Sequence, residues 1–296
     1  MTLSFAISYA ALCAAQGGTV AVPAPERFRW LDRLRSRWWA LVPLAAIVGT
    51  VAAVGAAAGS ADVLTWLALL TTPPLAMVAL GYAMKGARPA LALLVLPLCA
   101  AAWLSRETLV GEAAALVLIG AACVTLAALL AAVAPDLWLK VGLLLFAATD
   151  TWLVADKLLQ HPNAVLSAAA PGGGLPQLQR VSLGSAEMGY GDLFAAALLG
   201  ALLARQRPRQ LRGAALTTLL ALAFGLLFFV VHTLPATVPV AAALVALELG
   251  AIERGEGRRP MPRAGSRARA PHPGPSRRTR RARRSGPRGG AARWRA

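Results

Sequence analysis

Long stretches of this chain carry no charge and consist almost wholly of Ala, Leu, Val and other apolar residues. Several approach or exceed the roughly 20 residues that take a helix across hydrocarbon. Inside a bilayer each segment must satisfy its own backbone polar groups, so runs of this kind fold as helices. A soluble domain of 296 residues has no interior able to hide a sequence that is 57% hydrophobic and 15% charged. The expected fold is an all-α polytopic membrane protein.

Apolar runs bounded by charges and turn residues give nine spans, at about 3–22, 39–58, 63–84, 88–104, 110–133, 137–156, 187–204, 213–232 and 234–250. Gln16 and the pair Gly17-Gly18 interrupt the first. It lacks a basic n-region, so a retained helix is expected rather than a signal peptide. Basic residues gather in alternate loops: Arg27 to Arg37, Lys85 and Arg88, and Arg205 to Arg212. By the positive-inside rule these loops are cytoplasmic, with the N-terminus outside and the C-terminus inside, as in a protein of the cell membrane. The stretch from Lys157 to Glu187 contains "AAAPGGGLPQLQRVSLGS" and is expected to be a flexible external connection without a further helix.

Half of the 30 basic residues follow Ile252, so the net charge of +17 describes a tail more than a core. Residues 253–296 are expected to be disordered and cytoplasmic, with arginine runs able to hold anionic lipid. Trp294 is the one aromatic residue among those arginines, so no specific nucleic-acid partner is expected. Cys13, Cys99 and Cys123 lie in apolar runs without CxxC spacing, and the three histidines are scattered. Neither set suggests a metal or another cofactor.

Acidic residues inside spans are costly, about 2.5–3.5 kcal/mol each, and usually mark function. Asp150, Asp192 and Glu248 are the candidates, with Glu248 reaching the inner interface and Asp156 solvated at the outer one. Span 6 runs outward and span 7 inward. A rise of about 1.5 Å per residue puts Asp150 roughly 9 Å and Asp192 roughly 7 Å below the outer interface. Two carboxyl groups meeting at one level in a low dielectric hold a single proton between them. Such a pair can activate water against a peptide carbonyl. It would equally suit a proton- or ion-coupled transporter, or a polar tether between helices. Ala196, Gly200 and Ala204 form a small-residue ridge suited to helix packing.

"GYGD" (Gly189, Tyr190, Gly191, Asp192) at the head of a span resembles the GxGD motif of the presenilin and signal peptide peptidase family of intramembrane aspartyl proteases. "TDTWLV", beginning at Thr149, resembles the surroundings of the other family aspartate, with Thr149 in place of Tyr. "LPATVP" (Leu234 to Pro239) stands where a Pro-Ala-Leu motif opens the ninth span, with Thr237 in place of Leu. The resemblance covers roughly 137–250. It implies a presenilin-like bundle, with about five helices in 1–136 and the catalytic helices in 137–252. It also implies Asp150 and Asp192 as the catalytic pair, no cofactor, and transmembrane-segment peptides as substrates. Gly189, Tyr190, Gly191, Pro235, Ala236 and Thr237 would line the substrate site. The glycines would let a backbone approach Asp192, and Pro235, lacking an N–H, would free local carbonyls. The inverted orientation resembles signal peptide peptidase. Prepilin peptidases also carry GxGD; in that reading Asp156 before "QHPNAVL" replaces Asp150, and Phe194 stands where Lys is usual.

Overall fold

The computed structural model describes residues 3–57, 59–156, 158, 160–169, 171–229 and 234–253. The chain is helical through α1 (Leu3–Ala21), α2 (Val42–Ala56), α3 (Ser60–Val78), α4 (Val95–Leu104), α5 (Leu109–Val133) and α6 (Asp136–Ala155). It continues through α7 (Gln160–Ala168), a hairpin of β1 (Arg180–Leu183) and β2 (Ala186–Gly189), then α8 (Tyr190–Leu203), α9 (Arg207–Gly225) and α10 (Val238–Glu253). Glu253 thus closes a helix, and the expected disordered tail beyond it lies outside the described residues.

Among the described residues, six helical segments are long and apolar enough to cross a membrane: Leu3–Ala21, Arg37–Ala56, Ser60–Ala83, Leu109–Val133, Asp136–Ala155 and Arg207–Phe228. Three apolar segments are shorter: Pro89–Leu104, Tyr190–Leu203 and Val238–Ala251. The chain is an all-α membrane protein in its architecture. Large apolar side chains such as Val63, Leu70, Leu96 and Leu219 face outward, as lipid contact requires. Trp138 and Trp152 are both exposed near the two ends of α6. The fourteen-residue step from one to the other rises about 21 Å along the helix.

Interior positions go to α5 and α8, whose small residues allow close approach. A Cβ on Gly200 of α8 would lie 2.4 Å from the Val20 carbonyl oxygen of α1, so the middle of the expected small-residue ridge is a packing contact. On α1 itself a Cβ at Gly17 would meet the Thr218 hydroxyl of α9 at 1.9 Å and the Ala214 carbonyl at 2.8 Å, whereas Gly18 faces open space. Pro73 and Pro74 sit inside α3, which ends in a π-helical turn over Ala79–Ala83. Proline withholds an N–H and crowds the preceding turn. The Thr125 hydroxyl of α5 donates to the adjacent Leu75 carbonyl at 2.7 Å.

The basic loops meet at one end of the bundle. Arg205 bridges Glu26 (3.2 Å) and Asp136 (3.7 Å), and Arg35 also reaches Asp136 (3.3 Å). Glu248 pairs with Arg209 (2.6 Å) and Lys140 (2.9 Å), which accounts for an acid near the end of an apolar helix.

The connection from 157 to 187 departs from expectation. It carries the short helix α7 and then an antiparallel hairpin that pairs Val181 with Met188 and Leu183 with Ala186. The reason is local. Residues 180–183 and 186–189 alternate in side-chain character around a Gly184-Ser185 turn, which is a hairpin signal. Gly184 takes a φ of +59°, its N–H donates to Glu112 of α5 (2.7 Å), and the Ser185 N–H donates to Ser8 of α1 (3.4 Å). Because 186–189 is strand, α8 begins at Tyr190 and not near Glu187.

Candidate active site

Asp150 lies on α6 five residues before the helix ends, and only 8% of it is exposed. Its Oδ2 accepts a hydrogen bond from the Thr237 hydroxyl at 2.6 Å. Thr237 is itself buried and stands at the head of α10, where its carbonyl accepts from the Ala241 N–H at 3.1 Å. One residue therefore starts a helix and grips an acid on another. A bond of this kind to a charged group is worth about 1.5–3 kcal/mol.

Asp192 is the third residue of α8 and half-buried. Its Oδ2 accepts the Gly189 N–H at 3.0 Å, so the carboxyl caps its own helix, where the macrodipole also favours negative charge. A purely local role is therefore available to this acid. Beyond capping, α8 packs on α6, the helix that carries Asp150.

The motif glycines make room for this chain's own groups. A Cβ on Gly189 would stand 3.1 Å from Asp192 Oδ2, and one on Gly191 would stand 3.3 Å from Phe146 Cζ on α6. Gly191 thus lets the head of α8 come down on α6 one turn from Asp150. Tyr190 is turned toward α5, its carbonyl accepting from the Cys123 thiol at 3.7 Å. Pro235 is buried, and its carbonyl accepts from the Val238 N–H at 3.2 Å. Ala236 offers its carbonyl to Gln16 Nε2 of α1 at 2.9 Å. Asp156 is exposed at the end of α6.

The three motif stretches thus converge, and two further residues join them. Gln16, fully buried on α1, supports the Pro-Ala-Thr segment. Tyr9, two turns earlier on the same helix, donates its hydroxyl to the Ala221 carbonyl at 2.9 Å and lies within electrostatic reach of Asp192. The signal for Gln16 was present in the sequence as a polar residue inside an apolar run, which in a membrane helix points to a partner. Among the described residues no three His, Cys, Asp or Glu side chains gather closely enough to hold a metal ion.

Chemically, the site offers two carboxyl groups from adjacent helices, one gripped by a hydroxyl and the other by a backbone amide. No protein-family model matches this chain, and no curated protein or solved structure matches it significantly.

Proposed function

We propose that the chain is an intramembrane aspartyl protease, related in plan to the presenilin and signal peptide peptidase family. The observation that carries this reading is the bond from the Thr237 hydroxyl, just ahead of α10, to the Asp150 carboxyl of α6 (2.6 Å), with α6 packed on α8, whose first turn carries Asp192. In the proposed reaction the ionised member of the pair takes a proton from water as the water oxygen bonds to the scissile carbonyl carbon. The protonated member donates to the carbonyl oxygen. Collapse of the tetrahedral intermediate breaks the C–N bond. The departing nitrogen takes the proton drawn from water, a hydroxyl of the intermediate returns its proton to the other carboxylate as the carbonyl re-forms, and the pair is left with one shared proton.

The three shorter apolar helices are read as spans too, giving nine in all. Alternation of basic loops then sets the N-terminus outside and the C-terminus in the cytoplasm of a cell-membrane protein. Substrates are transmembrane segments with a cytoplasmic N-terminus, cut nearer the outer face. The arginine-rich tail is read as a disordered segment that rests on anionic lipid.

The test is incubation of the purified protein with a model transmembrane substrate, comparing wild type with Asp150→Ala and Asp192→Ala. Both variants are expected to leave the substrate intact. Cleavage persisting in either removes that residue from the chemistry. Ion uptake by the wild type without any proteolysis favours a transporter using the same acids.

A further inference from the structure

We propose that Gln16 is a positioning residue for Asp150, so that α1 belongs to the catalytic apparatus; this rests on the protease reading above. The argument follows one peptide plane. Gln16 Nε2 donates to the Ala236 carbonyl at 2.9 Å. That carbonyl shares a rigid, planar unit with the Thr237 N–H. The Thr237 hydroxyl in turn donates to the Asp150 carboxyl at 2.6 Å. Holding the oxygen of that plane therefore fixes the Thr237 Cα, which lies in the same plane, and with it the origin of the side chain whose hydroxyl reaches Asp150.

Two observations separate this from simple packing. Residues 234–237 precede the first turn of α10; the Pro235 and Thr237 carbonyls on either side accept backbone N–H groups (3.2 and 3.1 Å), whereas the Ala236 carbonyl accepts from the Gln16 side chain. Gln16, meanwhile, is fully buried, yet its Oε1 has no hydrogen-bond partner among the described residues. A buried orphan acceptor is unfavourable, and an apolar side chain of the same length would fill the space without it. The amide's contribution beyond volume is its single N–H bond to Ala236.

The experiment uses the full chain with Gln16→Met, Thr237→Val and the double variant. Gln16→Met keeps volume and removes the donor. Its kcat on the transmembrane substrate is expected to fall about 10- to 100-fold with KM within about twofold, the pattern of a misplaced catalytic group. The double variant is expected to be no slower than Thr237→Val alone, because Gln16 acts through Thr237. Multiplying losses, or a Gln16→Met rate equal to wild type, overturns the proposal. A second readout needs no activity: the carboxyl infrared band assigned to Asp150 by its loss in Asp150→Asn should shift in Gln16→Met as it does in Thr237→Val. An unmoved band overturns the proposal even where cleavage by the wild type upholds the protease reading. A shifted band in a protein that cuts nothing upholds the positioning contact and removes that reading. Gln16→Asn, one methylene too short to reach Ala236, supplies the same comparison should the methionine variant not fold.

Discussion

Gly17 and Gly18 are adjacent and alike in sequence, yet alanine at the two positions is expected to act with opposite sign. At Gly18 a Cβ meets nothing within 4 Å. Replacing a glycine there, in the last turn of α1, removes a backbone-entropy penalty, for a gain of about 0.5–1 kcal/mol. At Gly17 the new Cβ would stand 1.9 Å from Thr218 Oγ1 and 2.8 Å from the Ala214 carbonyl oxygen. Thr218 can turn its hydroxyl aside, losing its bond to the Ala214 carbonyl at 3.1 Å. The Ala214 carbonyl is helix backbone and cannot turn. Relief then requires α1 to move off α9 by about half an ångström or more, and overpacking of this kind costs about 1–3 kcal/mol. The two variants should differ by roughly 1.5–4 kcal/mol in sum. The assay is thermal unfolding in one detergent, followed by intrinsic fluorescence, with wild type between the two variants. Equal shifts, or a more stable Gly17→Ala, would refute the α1–α9 packing described above.

Three further outcomes follow from other contacts. Gly191→Ala sets a methyl group 3.3 Å from Phe146 Cζ and is expected to slow cleavage, while adding Phe146→Leu restores much of the rate; a double variant as slow as the single contradicts the contact. Glu112→Ala removes the acceptor of the Gly184 N–H and should speed amide hydrogen exchange across 180–189, measured by mass spectrometry, with exchange in α5 unchanged. Cleavage should follow a bell-shaped pH profile whose two limbs belong to the acid pair jointly, and a profile with one limb contradicts a shared proton.

Much of the helical plan was legible because a bilayer leaves few choices. The run 110–133 reads as helix from apolar length alone, and α5 (Leu109–Val133) forms over it. Length told less where protein surrounds the segment: α8 is only 14 residues, because the preceding four form a strand. The hairpin is hard to read from sequence because the Pro171 to Pro176 stretch dominates its neighbourhood, while the alternation that builds it covers only four residues a side. In the site, Asp150 and Asp192 stood out as acids in apolar company. Thr237 read as a departure from a motif, yet its hydroxyl is what reaches Asp150. Gln16 read as a flaw in a span, because its partner is a backbone carbonyl 220 positions away and leaves no trace in composition. The two glycines of GYGD read as space for a substrate, and a Cβ on either would also stand close to the Asp192 carboxyl (3.1 Å) or Phe146 (3.3 Å).

The most direct test of the account is the fate of water oxygen. Purified wild-type protein is incubated with a transmembrane peptide in water enriched in oxygen-18, and the products are weighed by mass spectrometry. The account predicts one heavy oxygen in the new C-terminal carboxyl group of the cut peptide, and no cut peptide from Asp150→Asn or Asp192→Asn. An intact substrate with wild type, or labelled product from either variant, contradicts it.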